Sequence, residues 1–187
     1  MTAMANSHDP AVFPYRPEKN IFLTGFMGSG KSSVGKILAG MLGVEFFDTD
    51  ELISGILRKS INDIFRCYGE AFFRNMETGI LKLLGKKPQG ACVVSTGGGA
   101  VLRAENIDAM RENGIIIYLD VSVEDTYSRL KETKDRPLLE VENLRQKIEE
   151  LLQERKPYYL QADFSVNTTG KTFKEITAEI IDNLSAL

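Results

Sequence analysis

The sequence predicts an α/β fold in which a parallel sheet is covered by helices on both faces. Two observations carry this. Short apolar runs at 21–23, 44–47 and 92–94 are each followed by a helical pattern, at 32–42, 50–57 and 104–113, and 115–119 and 164–166 are further strand candidates. Short apolar runs separated by helices make βαβ units, so the strands pair in parallel and are buried on both faces. The second observation is Gly25-Phe26-Met27-Gly28-Ser29-Gly30-Lys31-Ser32, which follows the first apolar run and opens the first helix. It has the full spacing of a phosphate-binding loop in the strand-to-helix context that the loop's chemistry requires.

The elements can be justified in chain order. Residues 1–18 carry three prolines and no apolar period, so they are expected to form a flexible tail; His8, the only histidine, lies there. Residues 19–187 are expected to form a single domain, a length that one core can serve. Helix starts are marked by Asp48 with Glu51, Ser60 with Asp63, Ser122 with Asp125 and Thr172 with Glu175, in each of which a short polar side chain stands three residues before a carboxylate. Between the second and third strands, two helical patterns meet near Gly69. This stretch, about 49–85, is the candidate substrate-binding insertion. The short polar segment at about 131–140, punctuated by Pro137, suits a mobile loop and is the candidate lid.

In the phosphate loop, glycines let successive backbone N–H groups face an anion, and the helix that follows adds the positive end of its dipole. Lys31 supplies a charge for the β- and γ-phosphates, and the Ser32 hydroxyl is a ligand for Mg²⁺. There is no Asn-Lys-x-Asp motif for reading guanine, and the 187-residue chain is short for a mechanical ATPase, which leaves a small-molecule kinase. The acidic partner of the metal is open between Asp48, Asp50 and Asp120. Asp120 also reads as the end of a strand before a helix capped by Ser122.

Other residues are ambiguous one at a time. Asp48 and Asp50 stand at the carboxyl edge of the sheet, where open α/β folds bind ligands, yet they also suit a helix cap. Arg74 lies in an aromatic stretch and reads equally as a solvated charge. Gly97-Gly98-Gly99 reads as a plain turn, and Arg136 and Arg155 as surface charges.

Taken in order, Gly28-Ser29-Gly30-Lys31-Ser32, Asp48-x-Asp50, Phe73-Arg74-x-x-Glu77, Gly97-Gly98-Gly99-Ala100, Arg136-Pro137-Leu138-Leu139 and Arg155-x-Pro-Tyr-Tyr resemble the shikimate kinase family, from about residue 20 to the C-terminus. The resemblance implies a P-loop kinase fold, with a five-stranded parallel sheet flanked by helices, a lid and a small substrate-binding subdomain. It implies ATP-dependent phosphorylation of the shikimate 3-hydroxyl, giving shikimate 3-phosphate and ADP in aromatic amino acid biosynthesis, with Mg²⁺ as the cofactor. Lys31, Asp50 and Arg136 become the catalytic candidates. ATP falls to Gly28, Ser29, Gly30, Lys31, Ser32, Ser33, Arg136 and Lys171; shikimate falls to Asp50, Arg74, Gly98 and Arg155. Ser32 would hold the metal directly and Asp48 through water, while Glu77 would orient Arg74. Many family members carry an arginine after the last strand for adenine, where this chain offers only Lys171.

Composition narrows the partners. A net charge of -3 gives no general attraction to nucleic acid, and no apolar stretch approaches the length of a membrane span. Cys67 and Cys92 have no metal or redox spacing and are expected as reduced thiols in a cytoplasmic protein. No exposed apolar stripe stands out, so a monomer is expected. Two rivals remain: a kinase of the same fold acting on gluconate or a nucleoside monophosphate, and a shikimate-binding regulatory module without catalysis.

Overall fold

The computed structural model describes residues 17–86, 91–131 and 143–187. The expected tail, apart from residues 17 and 18, lies outside the described residues, as does the expected lid beyond Lys131, including Arg136. Five strands, β1 (Asn20–Thr24), β2 (Glu45–Asp48), β3 (Cys92–Ser95), β4 (Gly114–Asp120) and β5 (Phe164–Asn167), pair in parallel in the order β2-β3-β1-β4-β5.

Seven helices are found among the described residues: α1 (Lys31–Leu42), α2 (Thr49–Leu57), α3 (Ile61–Gly85), α4 (Ala104–Asn113), α5 (Val123–Leu130), α6 (Leu144–Tyr159) and α7 (Phe173–Ser185). Alternation along the strands divides the core in two. Phe22, Val94, Ile116 and Tyr118 face one side, where Ile64, Phe73, Ile107 and Ile148 cover them. Ile21, Leu23, Val93, Ile117 and Leu119 face the other, against Val34 and Leu38 of α1 and Ile176 and Ile180 of α7.

Helix starts follow the capping signals. Ser60, Ser122 and Thr172 accept bonds from the backbone N–H three residues on, and Thr172 with Glu175 completes the reciprocal box. The second strand starts one residue later than its apolar run. Gly43 adopts φ 66° and Val44 donates its N–H to Ala39, so Val44 closes α1 and pairing begins at Glu45. The break expected near Gly69 is present: the helical path is interrupted there at φ 78°, ψ 167°, which glycine adopts without a Cβ penalty.

Candidate active site

The site lies at the carboxyl ends of β1, β2 and β3. Gly28 and Gly30 have φ of 79° and 92°, turning the loop after β1 so that it enters α1 with Gly30 as the N-cap. No side chain caps that helix, which leaves its first N–H groups available to an anion. Lys31 is buried, and its Nζ donates to the carbonyls of Gly25 at 2.8 Å and Phe26 at 2.9 Å, so the ammonium is held within the curve of the loop.

Asp48 at the end of β2 performs two tasks at once. Its Oδ1 accepts from the N–H groups of Asp50 and Glu51, at 3.0 and 3.3 Å, as the cap of α2. Its Oδ2 accepts from Ser32 Oγ at 2.6 Å. Capping α2 therefore does not keep Asp48 from reaching Ser32. Asp50, one residue into α2, shares a cleft with Gly28, Gly30, Lys31, Ser32, Ser33 and Gly98. Asp120 is elsewhere: it accepts a 2.7 Å bond from Tyr118, ends β4 and precedes the cap Ser122.

The turn after β3 is crowded by charge. A Cβ on Gly97 would run into the Glu77 carboxylate and come within 3.0 Å of Asp50, and one on Gly99 would sit 2.5 Å from the Arg74 guanidinium. Arg74 donates to Glu77 at 2.9 Å and to Glu70 at 3.1 and 3.2 Å, so it is clamped from two sides and is not a solvated charge. Glu77 is fully buried, with Oε1 unbonded. Burial raises its pKa above the ordinary carboxylate value against the opposing pull of Arg74, and Asp50 adds to the rise. Arg155 on α6 is also buried, its guanidinium over the Phe26 ring at 5.7 Å and its Nε unbonded. Lys171 is paired with Glu179 of α7.

Several residues at this site have no signal in the sequence. Thr49 accepts from the Gly97 N–H at 3.0 Å, Ser95 Oγ lies 3.4 Å from Ser32 Oγ, and Arg129 donates to the Gly28 carbonyl at 2.7 Å. A Cβ on Gly30 would come within 2.9 Å of the Phe173 ring. Each is an ordinary residue on its own element and becomes part of the site only through a contact across the fold. Tyr159 donates to the Gly98 carbonyl at 2.6 Å; its signal was its place in Arg155-x-Pro-Tyr-Tyr.

A phosphate loop opening on the same cleft as paired carboxylates, on a five-stranded parallel sheet, defines a P-loop phosphotransferase. The family profile described as Shikimate kinase matches residues 27–185. A shikimate kinase of Thermodesulfovibrio yellowstonii is 45% identical over 90% of this chain and 96% of its own. One from Geobacter metallireducens is 43% identical over 87% and 89%. Among solved structures, the shikimate kinase of Acinetobacter baumannii in complex with shikimate has a TM-score of 0.85 at 37% identity, covering 90% of this chain and 93% of that one. A gluconokinase of Sinorhizobium meliloti, at 17% identity and TM-score 0.55, shares the fold alone. The chain belongs to the shikimate kinase family.

Proposed function

We propose that this protein transfers the γ-phosphoryl group of ATP, bound with Mg²⁺, to the 3-hydroxyl of shikimate, giving shikimate 3-phosphate and ADP for aromatic amino acid biosynthesis. The observation that carries it is one cleft holding Lys31, Ser32, Asp48, Asp50 and Gly98, bordered by Arg74 against Gly99. Relatives named shikimate kinase across nearly the whole chain give the acceptor.

ATP's phosphates sit in the loop of Gly28, Ser29 and Gly30, with Lys31, Ser32 and Ser33 at the start of α1. Ser32 and Asp48 fit a magnesium site, because Mg²⁺ takes one or two protein oxygens and completes its shell with phosphate and water. No group of three or more His, Cys, Asp or Glu side chains that could hold a metal ion by themselves occurs among the described residues. When bound, the ion neutralises charge on the β- and γ-phosphates. Asp50 orients the acceptor hydroxyl and accepts its proton; Arg74 and Arg155 grip the carboxylate through paired N–H groups. Glu77 orients Arg74, and Gly98 supplies a backbone contact. Arg136, from a lid at 131–140, joins Lys31 in neutralising the transferring group, while Lys171 serves the nucleotide.

Residues 19–187 are taken as one domain, with the acceptor portion at 49–85. The protein works as a cytoplasmic monomer, without membrane or nucleic acid. No described helix is long and apolar enough to span a bilayer, and Cys67 and Cys92 are both free. The test is ADP release from MgATP with shikimate, gluconate, AMP, CMP or no acceptor, with Lys31→Ala as the blank. Release only with shikimate, lost in the variant, is expected; release with another acceptor alone would overturn the assignment.

A further inference from the structure

Gly97, Gly98, Gly99 and Ala100 form a β-turn, closed by the Ala100 N–H donating to the Gly97 carbonyl at 3.0 Å. Two glycines at its centre leave the turn type open, since Gly-Gly is compatible with types I, II, I′ and II′ alike. In this structure Gly99 has φ -104° and ψ 1°, and Gly98 is not among the positive-φ glycines. The turn is therefore type I. Types I and II differ by a half-rotation of the central peptide, which exchanges the sides taken by the Gly98 carbonyl and the Gly99 N–H.

The group that holds this peptide comes from another element. Tyr159, at the end of α6 and 1% exposed, donates its hydroxyl to the Gly98 carbonyl at 2.6 Å. Its ring is itself fixed, stacked on Tyr118 of β4 at 5.0 Å between centroids and 6° between planes. Arg155 stands one helical turn before it, and the Arg74 guanidinium lies against Gly99, the other half of the same peptide.

We infer that Tyr159 is a positioning residue for the acceptor: its hydroxyl selects the type I turn and so decides which polar backbone group of Gly98-Gly99 faces the acceptor, in step with Arg74 and Arg155. This rests on the shikimate kinase assignment above. It makes the local indifference of the glycine triplet useful. The turn can pass close to Glu77 and Arg74 because it lacks side chains, and Tyr159 supplies the conformational choice that the missing side chains would otherwise have made.

The test is Tyr159→Phe in the full chain, which keeps the stacked ring and removes only the donor, beside Tyr118→Phe, which removes the Tyr118–Asp120 bond and keeps the same stack. For Tyr159→Phe, KM for shikimate should rise about tenfold or more while KM for ATP changes less than about twofold. Tyr118→Phe should leave both unchanged. A KM for shikimate unchanged in Tyr159→Phe, or both KM values rising together, would overturn the inference. Should Tyr159→Phe fail to fold, the Gly98 carbonyl signal in glycine-¹³C-labelled wild type decides. One hydrogen-bonded signal with and without shikimate supports the lock; two exchanging signals refute it. Wild type without shikimate-dependent ADP release would instead refute the assignment on which the inference rests.

Discussion

Replacing Glu77 with glutamine should weaken acceptor binding while leaving the fold almost as stable as before. Glu77 is fully buried, and its Oε2 takes a 2.9 Å bond from Arg74. Its pKa is raised overall, with burial the leading cause, so the cost of desolvating the carboxylate exceeds the attraction of Arg74. Glutamine has the same shape, keeps an oxygen for Arg74 and removes the buried charge. Arg74 is not stranded, because Glu70 still holds it at 3.1 and 3.2 Å. The loss of about 3–5 kcal/mol that follows from leaving a buried charge unpaired is therefore not expected. A change within about 1 kcal/mol is, which for a chain of this length moves Tm by roughly 2–4 °C.

Binding responds differently. With glutamine the Arg74 bond changes from one between two charges to one between the guanidinium cation and a neutral amide, so the hold of residue 77 on the orientation of Arg74 weakens. A misorientation of Arg74 worth about 1.4 kcal/mol in the bound state reads as a roughly tenfold rise in KM for shikimate. The two proteins should also differ in pH dependence. A folded pKa raised above the unfolded value of 4.5 means that the stability contributed by the protonated carboxyl is complete below 4.5 and is lost as pH rises through the folded pKa. Wild type should lose this contribution over that interval and the glutamine variant should not, so their difference should move in the variant's favour. Thermal melts across pH, with steady-state kinetics at neutral pH, provide the measurements. A fall in Tm of more than about 10 °C, which would mean about 3 kcal/mol or more, would refute the claim that desolvation dominates.

Three further outcomes are expected. Asp50→Asn and Arg136→Ala should each lower kcat by about 10²-fold or more with little change in KM for ATP if, as proposed, both act on the transferring group; near-normal turnover in either would remove that residue from the mechanism. Gly99→Ala puts a methyl 2.5 Å from the Arg74 guanidinium, a side-chain end and not backbone, so it should fold with that guanidinium pushed out of its clamp between Glu70 and Glu77, and KM for shikimate should rise; unchanged acceptor kinetics would show that Arg74 does not hold the acceptor. Gly40→Ala, in the exposed interior of α1 with nothing within 4 Å of the new Cβ, should stabilise the fold by about 1 kcal/mol, and a lowered Tm would contradict that.

The sequence by itself determined the βαβ order, the helix starts at Ser60, Ser122 and Thr172, the break at Gly69 and the phosphate loop. All of these depend on local chemistry: hydrophobic period, a side chain reaching an N–H three residues on, and a glycine where φ must be positive. It left Asp48 divided between cap and site, and Arg74 between pocket and solvent. Neither choice is local. Asp48 caps α2 and also bonds Ser32 because β2 brings it within 2.6 Å of that hydroxyl, and Arg74 is drawn in because α3 sets it beside buried Glu77 and the bare turn at Gly99.

The strand order β2-β3-β1-β4-β5 was likewise a tertiary outcome, since a run of alternating strands and helices does not say which edge each new strand joins. Contacts such as Tyr159 with Gly98, 61 residues apart, or Arg129 with Gly28, 101 apart, exist only once that order is set. A glycine triplet has almost no conformational preference of its own, so the shape of the turn after β3 could come only from what the fold brought against it.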